Sequence, residues 1–288
     1  MLLIFLAGVL WGTIGIFVNE LNSLGASSAQ TCFIRMFSGF LIMAVYALIK
    51  NRKNFFLIDR KTLLICAGLG LISHGFFNIC YTASIKLNGM GIACVLMYSA
   101  PVFTAMASKI IFNEKISGLK IFALALNILG CVLTVTGGSL DSAGLSLTGI
   151  LAGLGTGFCY GMAAIFGKAG EKTDASIISA YSYFFAALFL FIFNTPELEN
   201  INIKILSTGF LYGLIPTSLA YMIYYNGLKK INYTSRVPVI ASIEPVAAVL
   251  IGMIIYNERV SLANFIGIAV VFLSIVIMVG KTVRSEEL

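Results

Sequence analysis

The chain has 288 residues, of which 59% are hydrophobic and only 11% charged. Average soluble chains carry about 25% Asp, Glu, Lys and Arg, so this one has too little charge to cover a water-facing surface. Its net charge of +7 does not point to nucleic acid, because the basic residues are scattered over short connections between apolar runs.

Those runs are uninterrupted and about 20 residues long, the length of a bilayer-crossing helix and not of an alternating barrel strand. Ten follow in order, at 2–19, 28–49, 62–84, 91–112, 118–138, 146–167, 176–194, 205–226, 235–256 and 261–280. The expected fold is an all-α polytopic membrane protein with no soluble domain attached. The first run begins at residue 2 and has no small-residue cleavage site, so no cleaved signal peptide is expected. Six cysteines (Cys32, Cys66, Cys80, Cys94, Cys131, Cys159) all lie inside apolar runs without paired spacing. They read as small reduced core residues, with neither a disulfide nor a metal role.

Lys and Arg fix the expected orientation. With the N-terminus inside, fifteen of them fall on the inner side, Lys53, Lys281 and Arg284 included. Three fall outside: Lys86, Lys204 and Arg259. The positive-inside rule then puts both termini in the cytoplasm.

An internal repeat follows from an offset of 144 residues. Eleven of the 37 positions in 81–117 are identical to their counterparts in 225–261, Pro101/Pro245, Asn113/Asn257, Glu114/Glu258 and Ser117/Ser261 among them. The first runs of the halves also correspond, Gly8-Val-Leu-Trp11-Gly12 matching Gly157-Phe-Cys-Tyr160-Gly161. The repeats are expected over 1–140 and 141–288, five helices each. An odd number of spans per repeat makes the second half enter the membrane inverted, the arrangement of alternating-access transporters with a site at the repeat interface.

The order of these features resembles the EamA branch of the drug/metabolite transporter superfamily. The marks are Trp11-Gly12, prolines in the fourth and ninth spans, and Asn-Glu-Lys-Ile-Ser at 113–117 echoed by Asn-Glu-Arg-Val-Ser at 257–261. The resemblance covers the whole chain. It implies a ten-helix secondary transporter with a central cavity lined mainly by spans 1, 3, 4, 6, 8 and 9. It carries no substrate to this chain.

Candidate site residues come from polar groups at depth. Glu244 is a mid-membrane carboxylate, costly unless it faces water, is paired or is protonated. It reads as a contact for a substrate cation or a proton-coupling site, or else as a neutral structural acid. Its repeat mate is Ala100. In span 3, His74, Asn78 and Tyr81 share one helical face, and span 8 answers with Ser218, Tyr221 and Tyr225. They read as opposite cavity walls, or as interhelical hydrogen-bonding groups. Trp11, Tyr160, Tyr98 and Ser99 complete a pocket whose rings suit an ammonium or an aromatic substrate.

Pro101 and Pro245 each remove one helix hydrogen bond, as hinge or as static kink. Arg35 enters span 2 two turns from the outer side, and either snorkels outward, forms a structural pair, or meets an anion in the outer vestibule. Glu114 and Glu258 are expected to cap the fifth and tenth spans. The glycine pairs in spans 1 and 6 are expected to allow close packing.

No metal cluster, phosphate loop or nucleophile triad is visible, so an enzyme is not expected and no cofactor is, a coupling proton apart. The expected function is ATP-independent transport of a small organic metabolite, an amino acid or amphipathic amine, across the cytoplasmic (inner) membrane. The expected partners are that substrate and the bilayer, with the chain a monomer or homodimer. The rival readings are a choline-like quaternary-ammonium transporter with an aromatic cage, a non-transporting scaffold and a membrane-embedded enzyme.

Overall fold

In a computed structural model, residues 1–139, 145–196 and 201–285 are described, without the side chains of Lys53 and 281–285. The expected repeat boundary at 140/141, and the side chains of Lys53, Lys281 and Arg284 used in the charge count, lie outside the described residues.

Among the described residues, ten helices are long and apolar enough to cross a membrane. Span 1 covers Leu2–Ser23, span 2 Ser28–Asn51, span 3 Arg60–Asn88, span 4 Met90–Phe112 and span 5 Gly118–Thr136. Span 6 covers Leu147–Ala169, span 7 Ala175–Phe193, span 8 Ile203–Leu228, span 9 Thr234–Tyr256 and span 10 Leu262–Gly280. Each overlaps the run expected from hydropathy, because in hydrocarbon only a helix satisfies its own backbone. Large apolar side chains such as Leu41, Val45, Ile110, Ile254 and Val276 point outward. Polar ones such as Asn127, Thr156, Thr217 and Ser274 are buried, which is the distribution that lipid contact requires. All six cysteines are free thiols.

Helix ends are set by local chemistry. Ser27 and Gln30 form a reciprocal capping box at the start of span 2. Asp174 caps span 7, accepting from Ser176 N and Oγ, and pairs with Lys50 Nζ at 2.8 Å. Burial works against its charge, but the hydrogen bonds from Lys50 and Ser176 prevail and hold its carboxyl down at about 2. Asn113 and Asn257, identical repeat mates, end spans 4 and 9 in the left-handed conformation at φ 55° and 53°, which asparagine tolerates.

The capping expected of Glu114 is corrected. Ser117 caps span 5, its Oγ accepting from Lys120 N. Glu114 instead accepts from Thr234 N, Ser235 N and Ser235 Oγ, closing the start of span 9. For span 10 the hydroxyl of Ser261 accepts from Asn264 N, while the carboxylate of Glu258 lies against Gly252 of span 9.

Among the described residues five spans are interrupted: span 1 turns at Thr13 alone, and the other four interruptions pair at the offset of 144. Span 3 is π-helical over Leu69–Phe76 and span 8 over Gly213–Leu219. Span 4 breaks at Tyr98 and Ser99, span 9 at Ser242. The second pair has a clear cause. Proline has no N–H, so the carbonyl four residues back loses its donor: Met97 for Pro101 and Ala241 for Pro245. Both carbonyls lie against a glycine of another span. A Cβ on Gly157 would meet Met97 O at 3.2 Å, and one on Gly8 would meet Ala241 O at 2.8 Å. The glycines therefore seat the two breaks, span 6 on span 4 and span 1 on span 9.

Candidate functional site

A cavity of about 200 Å³ lies inside the bundle. It runs from Trp11, Tyr160 and Glu244 near mid-span to Asn22, Ser28 and Ile85, at the end where spans 1 and 2 are joined. Beyond Trp11 in the other direction, Ile4, Tyr224, Tyr225, Leu228, Ile231 and Ile240 belong to one buried core. The cavity is therefore open toward one end of the bundle and closed toward the other.

Its floor is built by span 9. Glu244 follows the break at Ser242, and Asn127 of span 5 fixes that break by donating to Ser242 Oγ at 2.6 Å. The carboxyl group is half-buried and receives the Tyr160 hydroxyl on Oε2 at 2.5 Å. Gly12 lies against the Glu244 backbone carbonyl, where a Cβ would come within 3.1 Å. The break, the glycine contact and the tyrosine together aim the carboxylate into the cavity.

The walls are aromatic. Trp11 packs on Tyr221 at 4.9 Å between ring centroids, on Tyr224 at 5.1 Å and on Tyr160 at 6.2 Å. His74 meets Tyr221 edge-on at 5.0 Å. Trp11 Nε1 and His74 Nε2 are buried without a hydrogen-bond partner, an expensive state. Asn78 is fixed by two bonds: its Nδ2 donates to His74 O at 2.6 Å, and its Oδ1 accepts from Cys32 Sγ at 3.0 Å.

Of the residues singled out in the sequence, Trp11, His74, Asn78, Tyr81, Tyr160, Tyr221 and Glu244 line this cavity. Tyr98, Ser99 and Tyr225 do not. Tyr98 lines a separate small void between the two broken helices, beside Pro101, Pro238 and Ser242. Ser99 turns back to Leu96 O at 2.6 Å and packs against Gly157. Tyr225 is buried on the closed side, its ring against Tyr221 and Tyr224.

Arg35 does not snorkel outward. It is 8% exposed and faces the cavity. Its Nε donates to Thr217 Oγ1 at 3.0 Å, and its guanidinium lies 5.0 Å from the centre of the Tyr212 ring. Thr217 belongs to the π-helical stretch of span 8 and also donates to Tyr212 O, five residues back. Thr31, Cys32, Met36 and Tyr212 also line the wall without having been singled out. They sit on spans 2 and 8; in span 2, Ser28, Thr31, Arg35 and Ser38 recur at helical spacing, a polar face legible in the sequence.

Ten membrane-crossing helices around a one-ended cavity, with a carboxylate and a guanidinium at depth, define a polytopic membrane protein of transporter type. The EamA-like transporter family model matches residues 1–136 and again 147–280, and the chain belongs to that family. An uncharacterized transporter of Archaeoglobus fulgidus is 27% identical over 276 residues, 95% of this chain and 94% of that protein. The uncharacterized inner membrane transporter YicL of Salmonella typhimurium is 21% identical over 96% of this chain and 94% of its own. A solved crystal structure superposes with a TM-score of 0.80 at 17% identity, over 99% of this chain and 98% of the other, a likeness of fold alone.

Proposed function

We propose that the protein is a secondary transporter that carries a small organic molecule with a cationic group across the cytoplasmic membrane by alternating access. The observation that carries this reading is the one-ended cavity that stops at mid-bundle on Glu244, whose Oε2 accepts from Tyr160. A pore would need a path through both ends. A carrier needs a site at the midplane that faces one side at a time.

The two halves are inverted repeats and both termini are cytoplasmic. The charge bias supports this, as do the matched breaks at the offset of 144 and the mutual clasp of glycines on broken helices. On that orientation the cavity faces the outer side, and Pro101 and Pro245 mark the bending points. The membrane is the inner one, a reading supported by the same bias and by the name of the Salmonella relative as an inner membrane transporter. An amino acid or amphipathic amine suits the aromatic walls and the carboxylate floor. A choline-like cage suits them less, since the Trp11 and Tyr221 rings pack on each other at 4.9 Å, tilted by 56°, with no gap for a trimethylammonium group between them.

The test is counterflow in proteoliposomes preloaded with one of a panel of amino acids and amines. Saturable exchange that is lost in Glu244→Gln supports the reading. Flux that rises linearly with concentration and survives the substitution rejects it.

A further inference from the structure

Two opposite charges face the same cavity from different spans. Arg35 comes from span 2 and Glu244 from span 9. A guanidinium keeps its proton, so taking Arg35 out of water is costly without an anion beside it. The ion pairs among the described residues are Lys50–Asp174 and Lys168–Glu171, so no carboxylate of those residues pairs with Arg35. Its contacts are neutral: the Thr217 hydroxyl and the Tyr212 ring. Glu244 is likewise held by a neutral donor, Tyr160. Each charge is fixed in direction by a neutral neighbour, and among the described residues neither sits in an ion pair.

We propose that the cavity takes a zwitterion, one molecule carrying both a carboxylate and an ammonium. This deepens the reading of the cavity as the transport site and rests on it. The carboxylate lies on Arg35, whose planar fork suits paired bonds to two oxygens. The ammonium lies on Glu244, and the body of the molecule lies along Trp11 and Tyr221. A simple amine would leave Arg35 unpaired and add a second positive charge to a low-dielectric space, and a simple acid would do the reverse at Glu244. A zwitterion pairs both and brings no net charge. A cavity of about 200 Å³ admits a molecule of amino-acid size.

Arg35 is then the residue that separates amino acids from amines. It acts through its own contact with the substrate carboxylate, with Thr217 and Tyr212 as positioning residues.

The test uses the purified full-length protein and its single tryptophan, Trp11, which sits in the cavity wall. Trp11 fluorescence is titrated with two matched series: phenylalanine, 2-phenylethylamine and 3-phenylpropanoate, then leucine, 3-methylbutylamine and 4-methylpentanoate. In at least one series the zwitterion is expected to bind at least about tenfold tighter than either partner, the scale of one charge-assisted contact. Arg35→Gln is expected to bring the zwitterion to the amine's affinity and to leave the amine unweakened. Arg35→Lys keeps the charge without the fork and is expected to fall between. The wild-type ranking alone decides should a variant fail to fold. An amine that binds as tightly as its zwitterion overturns the proposal, and saturable counterflow of that amine would leave the transport reading standing. Silence from all six probes also overturns the proposal, and flux of any other solute then judges transport separately.

Discussion

Tyr160 of span 6 donates its hydroxyl to Glu244 Oε2 of span 9 at 2.5 Å, so the one carboxylate in the cavity is held across the two halves of the chain. A hydrogen bond to a partly desolvated acid contributes about 1–3 kcal/mol. Tyr160→Phe keeps the ring beside Trp11 and removes only the donor. The expected result is about a tenfold loss of kcat/KM for transport with the melting temperature little changed. Unaltered kinetics would mean that the tyrosine holds the fold and not the site.

Glu244 is also the group through which a proton would couple, since it is the titratable carboxylate that faces the cavity. A pH gradient should speed wild-type uptake above the gradient-free rate, and both modes should be lost in Glu244→Gln. Wild-type uptake that ignores the pH gradient would remove the proton from the mechanism.

The glycine contacts make a graded prediction. A Cβ on Gly8 would overlap Ile243, and one on Gly157 would overlap Ser99. Gly8→Ala and Gly157→Ala should each cost about 1–3 kcal/mol, as overpacking does, read as a lower melting temperature in detergent. Gly15 and Gly91 have nothing within 4 Å of a built Cβ, so alanine there should be neutral or raise stability by up to about 1 kcal/mol.

The sign of a pH effect can be stated for Asp174, which lies at the start of span 7. Its carboxyl is held at about 2 in the folded chain, below the ordinary 3.8, so the folded state binds the proton less readily. The stability it contributes is fully present above about pH 4 and is lost as the pH falls toward 2. Asp174→Ala should therefore cost about 1 kcal/mol at neutral pH, the usual value of an N-cap. The difference from wild type should shrink through that window, as followed by thermal melts at stepped pH.

The spans and the Trp11–Tyr160–Glu244 grouping were legible because depth in hydrocarbon demands helices and penalises a carboxylate, both of which show in a single chain. The places of Tyr225 and Arg35 were less legible, for a different reason. The repeat alignment treats Tyr81 and Tyr225 as equals, but a cavity open at one end breaks that equivalence: Tyr81 faces it and Tyr225 is packed beneath. For Arg35, snorkelling is the cheap option on a lone helix. Here Thr217, presented by the π-helical stretch of span 8, supplies an inward acceptor. Proximity across 182 residues leaves no local signature, and a π-helical segment is visible only once the backbone is.

The most direct measurement is counterflow in proteoliposomes, with external labelled leucine or phenylalanine against the same unlabelled solute inside. Alternating access predicts a transient accumulation of label that saturates with external concentration and vanishes in Glu244→Gln. Linear, unsaturable entry that is indifferent to the internal solute would contradict it.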